Sequence, residues 1–346
     1  MGSAASLPSP YLARLGLEEA VPPPPLAVSS IEQARRIYLR RDGCPNDPIW
    51  SNVFHAWAVE KRREGVDPYD EYDGVVGLPI DPTTRIFSAS QLTALGQCPF
   101  KWFADKVLGL AELKEAEEDL SPRLKGNLYH RSLELVFKVL GAADLCQASV
   151  EKLEVSFLQA EQDLEFPTLP AWNARRSEHI KVLSHAMQKS DFWQPGAEIF
   201  VETDFEGEWY GLKVRGRMDR VDRTSQGLVL FDYKTSSQPP MGVKDDFGKA
   251  SLDIQMPLYI HMAQTTLFPG EQVEGAYYYS LTKGKKLYKA QPNEQTLKAI
   301  AHRVKAHLET GNYPVDPDIE QQACRYCPYD LICRKGARNS RKGGAV

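Results

Sequence analysis

Apolar residues along the chain follow two different periods, and the change between them divides the sequence. Before residue 198 they recur every three or four positions, as in KGNLYHRSLELVFKVL, where Leu128, Leu133, Val136 and Leu140 lie on or near one stripe. From Glu198 onward apolar and polar residues alternate, which is typical of strands that bury one face. The pattern predicts a helical first part followed by antiparallel strands.

Capping residues and turn residues predict where the elements begin and end. Helices are expected to begin after Ser88 and after Pro99, and others are expected over 31–41, 51–64, 125–140, 251–267 and 294–309. Residues 148–195 are expected to form further helices, which a PTLP turn interrupts. Three strands are expected between residues 198 and 236, with turns at Glu206-Gly207 and Gln226-Gly227, and two more at 273–281 and 285–290. This order predicts a mixed α/β domain with a central sheet.

Composition divides the chain into three parts. Residues 1–84 contain four consecutive prolines, Pro22 to Pro25, and a turn-rich connector, so we predict a partly disordered N-terminal extension with short helices. Residues 85–335 carry the organised domain. Residues 336–346 are basic and contain glycine, which predicts a disordered tail.

Overall charge decides little about partners. Hydrophobic residues make up 42% and charged residues 25%, which is ordinary for a globular protein, and the net charge is -4. An acidic balance neither supports nor excludes nucleic-acid binding, because a basic groove can be local. The sequence has no apolar run of membrane-spanning length and no secretory signal, so we expect a cytoplasmic protein without a membrane partner.

Two short runs, GRMDRVD (216–222) and VLFDYKTS (229–236), carry the residues best suited to chemistry. Asp232 and Lys234 are two apart on a predicted strand and therefore share a face, and Asp219 ends the preceding run. Two aspartates can hold a hard divalent cation, and a lysine can orient a water or stabilise developing charge. The runs therefore predict a site for phosphodiester hydrolysis. The alternative is a hairpin with solvent-facing charges, although Asp232 follows the apolar run LVLF, where an unpaired carboxylate is costly.

Four further residues could complete this site. Gln255 and Tyr259, four apart in DIQMPLYIH, share a helix face from which they could hydrogen-bond a phosphate or a water, unless they simply pack together. His130 lies on a predicted helix, where a lone histidine is more often packed or solvated than a ligand. As a ligand, its imidazole would favour manganese over magnesium. Glu202 is a weaker candidate for a supporting carboxylate.

A cysteine cluster forms the second specific signal. Cys324, Cys327 and Cys333 crowd into CRYCPYDLIC, and Cys98, placed before Pro99 at a predicted helix N-terminus, is the expected fourth ligand. Four thiolates suit either zinc or an iron-sulfur cluster, and the spacing does not separate the two. Such a site would tie the two ends of the domain together.

A basic stripe precedes the first aspartate. Lys213, Arg215, Arg217 and Asp219 share strand parity, so the three cations could lead a DNA backbone to the metal site. A solvated strand face is the competing interpretation.

Six segments in order resemble the RecB-like branch of the PD-(D/E)XK nuclease superfamily, and within it the iron-sulfur nuclease domain of AddB-type helicase-nuclease subunits. They are FSASQLTALGQCPFKWF, GNLYHRSLE, GRMDRVD, FDYKTS, QMPLY and CRYCPYDLIC, and together they cover about residues 85 to 335. The resemblance implies a restriction-endonuclease-like core, a mixed sheet flanked by helices, with a helical insertion and an iron-sulfur staple.

The same resemblance implies roles for individual residues. His130, Asp219 and Asp232 correspond to metal ligands for Mg²⁺ or Mn²⁺, Lys234 to the catalytic lysine, and Gln255 and Tyr259 to supporting positions. The four ligands of a 4Fe-4S cluster correspond to Cys98, Cys324, Cys327 and Cys333. Because AddB subunits carry a long helicase-like region that this chain lacks, we expect either an excised domain or a freestanding relative, with an AddA-type subunit as the partner in the first case.

The expected function is a metal-dependent DNA nuclease that acts on single-stranded DNA or DNA ends, with exonuclease-like processing in recombination and repair. The rival interpretation is a noncatalytic iron-sulfur module that binds DNA within a helicase-nuclease complex. The complete set of acidic residues and lysine favours the enzyme.

Overall fold

The structure, a computed structural model, describes residue 14 and residues 48–65, 67–111, 120–139, 148–194 and 196–333. The chain divides into two units, Met1–Glu64 and Gly65–Val346. The first contains helix α1 (Pro48–Glu64), which confirms the helix predicted over 51–64. The helix predicted over 31–41, the proline run and the basic tail at 336–346 lie outside the described residues.

The second unit contains the sheet and the helices that cover it. Its helices are α2 (Ala89–Gln97), α3 (Pro99–Lys106), α4 (Pro122–Val139), α5 (Ala148–Asp163), α6 (Trp172–Met187), α7 (Gln255–Met262), α8 (Glu294–Thr310) and α9 (Asp330–Cys333). Its strands are β1 (Ile86–Phe87), β2 (Glu198–Trp209), β3 (Leu212–Arg223), β4 (Leu228–Lys234), β5 (Val273–Ser280) and β6 (Lys285–Leu287). None of the described helices is both long and apolar enough to cross a membrane.

The sheet is mixed, as predicted. Strand β3 is its centre: β2 pairs with one edge in antiparallel fashion, while β1 and β4 pair with opposite ends of the other edge. Strands β4 and β5 are parallel and are connected through α7, and β6 returns antiparallel to β5. The mixed sheet with helices on both faces confirms the predicted fold class.

Two apolar clusters cover the two faces of the sheet. One face packs against α2, α7 and α8 through residues such as Leu92, Leu258 and Ile300. The other packs against α4, α5 and α6 through Leu133, Phe157 and Leu183. The helical insertion between α4 and β2 therefore forms one layer of the domain together with α4.

The turn predicted at Glu206-Gly207 is wrong. Strand β2 continues through both residues to Trp209, and the chain reverses at Tyr210 and Gly211, whose φ angles are 47° and 77°. Gly207 serves another purpose, because a Cβ there would lie 3.0 Å from the sulfur of Met262. The glycine that resembled a turn residue lets a helix approach the strand closely.

Helix α7 begins at Gln255, four residues after the predicted start. Leu252 forms an isolated bridge with Val243, and the Oδ1 atom of Asp253 accepts a hydrogen bond from the backbone N–H of Gln255 at 3.2 Å. Pro257 therefore lies in the first helical turn, where its missing N–H has no partner to lose.

Candidate active site at the fork between β3 and β4

Strands β3 and β4 separate at one end, and the predicted aspartates stand where they part. The last paired residues are Arg220 and Phe231, so Asp219 and Asp232 are the first residues beyond the ladder. The backbone N–H of Tyr233 donates to Oδ2 of Asp219 at 2.6 Å across this gap. We call this place, with Asp219 and Asp232 at its two sides, the fork.

Strands β2 and β3 both exchange faces at the fork. Val201 and Phe205 are four apart and would share a face in a regular strand, yet they contact opposite clusters. The pairing register is the same on both sides, and the interruption consists of Glu202 opposite Asp219. Glu202 has a φ of 47°, a left-handed conformation that is uncommon for a non-glycine residue and is often found at functional sites.

Three side chains that could hold a metal ion come together at this exchange. One donor atom each from His130, Glu202 and Asp219 lies within 4.8 Å of the others. The Nδ1 atom of His130 is 3.3 Å from Oδ1 of Asp219, and its Nε2 atom is 3.1 Å from the carbonyl oxygen of Tyr233. One imidazole nitrogen and two carboxylate oxygens suit a Mg²⁺ or Mn²⁺ ion.

Asp232 and Lys234 form a second group on the other side of the fork. The buried Asp232 carboxylate forms an ion pair with the Lys234 ammonium through Oδ2. Its Oδ1 atom accepts a hydrogen bond from Nε2 of Gln255 at 2.6 Å. Tyr259 lies 3.0 Å from the same Gln255 nitrogen and donates to the carbonyl oxygen of Arg217 at 3.1 Å. The predicted residues of α7 thus orient Asp232 and connect it to β3.

Burial and crowding of carboxylates shift the protonation of the first group. Burial and the nearby Asp219 charge raise the pKa of Glu202 to about 7. Burial disfavours the charged form of His130, but Asp219, Asp232 and Glu202 outweigh it and raise its pKa to about 9. Burial would raise the pKa of Asp219, but the His130 imidazolium beside it outweighs burial and holds that pKa below its usual value. Glu202 therefore titrates near neutral pH, next to an ionised Asp219 and a protonated His130.

The second group responds to burial and to its lysine. Burial raises the pKa of Asp232 to about 6, with Lys234 acting in the opposite direction. Burial would lower the pKa of Lys234, but the Asp232 carboxylate beside it holds that pKa above its usual value. Lys234 is therefore a stable cation whose position is fixed by Asp232.

A cavity of about 470 Å³ opens onto the fork. Lys234 and Thr235 line it from the end of β4, His130 lines it from α4 and Glu202 from β2. A substrate in this cavity would therefore contact Lys234, His130 and Glu202 together.

Two residues at the site escaped the sequence interpretation. Glu134 lies one turn beyond His130 on α4 and lines the cavity, a relation that the four-residue spacing could have indicated. The buried Asp253 accepts a hydrogen bond from Tyr278 at 2.8 Å and caps the start of α7. Its position two residues before Gln255 was the available signal.

The basic stripe on β3 faces carboxylates. The register sets Lys213 opposite Glu208, Arg215 opposite Glu206 and Arg217 opposite Asp204, so every cation of the stripe has an acid across from it. Arg217 donates to Asp204 at 2.7 Å and is exposed. The face exchange occurs at Asp219 itself, so the regular alternation of the stripe ends there. The role of the stripe in binding DNA stays a prediction.

The four predicted cysteines lie together. Cys98, Cys324, Cys327 and Cys333 all line one small cavity of about 20 Å³. Cys98 occupies the N-cap of α3, as predicted from Pro99. Burial nevertheless raises the pKa of its thiol to about 11, against the effect of the neighbouring N–H groups.

Comparison with known families decides which fold this is. Residues 86–334 match the PD-(D/E)XK nuclease superfamily, well over half of the chain. The chain belongs to this superfamily. The resemblance drawn from the six sequence segments is thereby confirmed, while the roles that it implies for Asp219, Asp232 and Lys234 stay predictions.

Relatives of this PD-(D/E)XK chain include much longer proteins. An ATP-dependent helicase/deoxyribonuclease subunit of Streptococcus agalactiae is 29% identical over 169 residues, which are 46% of this chain and 15% of that protein. The corresponding helicase/deoxyribonuclease subunit of Moorella thermoacetica is 25% identical over 262 residues, covering 64% of this chain and 22% of that protein. The chain therefore spans less than a quarter of the length of these two relatives.

A shorter relative is the Gene 69 protein of Mycobacterium phage D29, which is 30% identical over 155 residues, 40% of this chain and 52% of that protein. A Eubacterium rectale protein of known structure superimposes on this chain with a TM-score of 0.38 and 17% sequence identity. The superposition covers 72% of this chain and 87% of the Eubacterium rectale chain. The latter likeness is too distant to bear on function.

Proposed function

We propose that the chain is a metal-dependent deoxyribonuclease that hydrolyses phosphodiester bonds of single-stranded DNA, in exonuclease-like processing of DNA ends during recombination and repair. One observation carries the proposal: His130, Glu202 and Asp219 gather within 4.8 Å beside the Asp232–Lys234 pair, in a chain of a nuclease superfamily. These groups supply a cation site and a fixed ammonium at one cavity.

His130, Glu202 and Asp219 would hold a Mg²⁺ or Mn²⁺ ion, and Asp232 stands next to them across the fork. When bound, such an ion supplies Lewis-acid polarisation of the scissile phosphate and a lowered pKa for a bound water. Glu202 must lose its proton to become a ligand, and His130 must be neutral. The sequence interpretation had Asp232 as a ligand in place of Glu202, and that role stays part of the proposal.

Lys234 places a positive charge at the mouth of the cavity. Because Asp232 fixes the ammonium, Lys234 can orient the attacking water or offset the charge that develops on the phosphate without first reorganising. Gln255 and Tyr259 act through Asp232 and the backbone of β3, so we assign them a positioning role. The polar chain from Tyr259 to Lys234 holds the reacting groups on rigid elements.

The names of the relatives support the substrate and the partner. The relatives from Streptococcus agalactiae and Moorella thermoacetica are helicase/deoxyribonuclease subunits, so DNA is the proposed substrate and an AddA-type helicase-nuclease subunit is the proposed partner of the chain. Four thiols around one cavity support a 4Fe-4S cluster that joins a residue before the long strands of the sheet to residues after α8. Zinc is the competing occupant, and visible absorption near roughly 400 nm separates the two.

The test is digestion of end-labelled single-stranded DNA with increasing Mg²⁺ or Mn²⁺, after purification without oxygen. The wild-type chain should shorten the strand only when the metal is present, and Asp232→Ala should not cut it. The control is Asp246→Ala, which removes an exposed carboxylate that pairs with Arg303 and does not line the cavity, and which should cut normally. Binding without cleavage in either metal would favour the rival, a noncatalytic DNA-binding module.

A further inference from the structure

Helix α4 presents one face to the cavity, and its first part has no other assigned purpose. Arg123, Gly126 and Asn127 line the cavity one to two turns before His130. We propose that this face is a binding subsite for the sugar-phosphate backbone of the DNA strand next to the scissile phosphate, with Gly126 at the point of closest approach. The proposal rests on the nuclease function proposed above and adds a path for the strand.

Gly126 is an unexpected residue in the interior of a helix. It is the fifth residue of α4, and glycine destabilises such a position relative to alanine. Packing does not require it, because a Cβ built at Gly126 would have no heavy atom within 4 Å outside its own helix and neighbours. The space that the missing side chain leaves belongs to the cavity, so a ligand there can touch the helix backbone.

The other glycine within a described helix makes the contrast. A Cβ at Gly96, in α2, would lie 2.6 Å from a methyl group of Val243. Gly96 is therefore explained by packing inside the protein. Gly126 has no such explanation, which points to a ligand from outside the chain.

The polar residues beside Gly126 are available to a ligand. In the described part of the chain, no side-chain hydrogen bond or ion pair engages Arg123 or Asn127, and both are exposed. Arg131, farther along the same face, is instead held by Asp163 and Glu134, at 2.8 Å and 2.6 Å. The Arg123 guanidinium and the Asn127 amide flank Gly126 along the helix. Both groups can donate hydrogen bonds to phosphate oxygens of a strand that passes over Gly126.

The opposite wall continues the same chemistry. Lys234 and Thr235 line the cavity from β4, so a strand in it runs between the α4 face and the end of β4. The cations of β3 are poorer candidates, because each of them faces a carboxylate of β2. The strand is therefore expected to follow α4 and to reach His130 and Lys234 together.

The test separates fold stability from strand binding. In Gly126→Ala the melting temperature should rise by about 2 °C, because alanine favours the helix. Binding of a fluorescein-labelled single-stranded oligonucleotide, measured by anisotropy in a Lys234→Ala background, should weaken on the order of tenfold because the methyl group fills the approach. In the cleavage assay the KM should rise more than kcat falls, and Gly126→Leu should be worse than Gly126→Ala.

Two further variants sharpen the result. Ser177→Ala also removes a poor helix former, at an exposed position of α6 outside the cavity, and should leave strand binding unchanged. Arg123→Ala should weaken binding and reduce the slope of log affinity against log salt by about one.

The outcomes are distinct. If Gly126→Ala binds the strand as tightly as Ser177→Ala does, or if it melts at a lower temperature than wild type, the subsite is wrong. A wild-type chain that binds the strand but cuts it in neither Mg²⁺ nor Mn²⁺ overturns the nuclease function, and the anisotropy comparison then still decides the subsite.

Discussion

Glu202 and Asp219 face each other across the two longest strands, so two carboxylates share one small volume. Like charges directly opposite each other are destabilising in a sheet, and Glu202 also adopts a left-handed backbone. The protonated histidine offsets part of this repulsion in the metal-free protein. The proposed cation would offset it further, because it would be bound by both carboxylates.

This residue-level arrangement predicts how stability depends on pH. The folded-state pKa values of Glu202 (about 7) and His130 (about 9) both lie above their ordinary values, so the folded protein binds the extra protons. Their contribution is fully present below the unfolded-state pKa values and is lost as pH rises through about 7 and then about 9. The metal-free protein should therefore melt at lower temperature as the pH is raised across this window.

The matching measurements are melting curves with a chelator and with Mn²⁺. In Glu202→Gln the melting temperature should fall less between pH 5 and 7 than in the wild type, because the glutamine side chain has no proton to lose in this range. Added Mn²⁺ should stabilise the wild-type chain more at pH 8 than at pH 6, since its ligands are then deprotonated. A melting temperature that rises with pH in the chelated wild type would contradict this assignment.

At the scale of elements, one buried ion pair holds α4 against β3 and β4. Arg220 and Asp222 are fully buried, and Arg220 donates from Nε to the carboxylate at 2.6 Å. The guanidinium is surrounded by four aromatic rings, from α4, from the segment before β2, and from β4: Phe137, Phe192, Trp193 and Phe231. Because α4 also carries His130 and Arg220 follows Asp219, this contact packs the helix of His130 against the strand of Asp219.

Removing the carboxylate of that ion pair should strongly destabilise the fold. Asp222→Ala leaves a buried guanidinium without its carboxylate, and the free energy of unfolding should fall by about 3–5 kcal/mol. The double variant Arg220→Met with Asp222→Leu should recover much of this loss, because it removes both charges together. Urea denaturation of the three proteins measures both effects, and a single variant as stable as wild type would contradict the role given to the pair.

The elements also show where reading the sequence succeeds. Apolar periodicity was sufficient to predict α4 and the strands. The two-residue spacing in FDYKTS was sufficient to predict that Asp232 and Lys234 share a face. Periodicity could not predict the interruption of the strand at Glu202, because one residue with a left-handed backbone leaves the alternation of apolar and polar residues almost unchanged. Gly207 led to the wrong prediction of a turn, because glycine is favoured both in turns and where a helix packs closely on a strand.

At the scale of the whole molecule, the cysteine cavity joins distant parts of the second unit. Cys98 precedes the sheet's long strands, while Cys324, Cys327 and Cys333 follow α8. Tyr329, in the same C-terminal segment, donates to the carbonyl oxygen of Leu110 at 2.8 Å. A group bound by the four thiolates would close a long loop of chain, which lowers the entropy of the unfolded state.

Loss of that group should therefore loosen the domain as a whole. Cys98→Ser should lower the melting temperature on the order of 10 °C, by analogy with other long-loop closures. Tyr326→Ala, at an exposed position between the cysteines, is the matched control and should have little effect. Iron analysis and the visible spectrum identify the group, and a Cys98→Ser protein with wild-type metal content and melting temperature would contradict the staple.

The groups at the fork are proposed to cut DNA, and the rate of a single turnover measures that activity without the contribution of product release. End-labelled single-stranded DNA is mixed with excess wild-type chain or Lys234→Ala in Mn²⁺, and the first cleavage is timed. We predict metal-dependent cleavage by the wild type and a rate lower by about 100- to 1,000-fold in Lys234→Ala, with Lys298→Ala, an exposed lysine, as the control. Equal rates for wild type and Lys234→Ala would contradict the account.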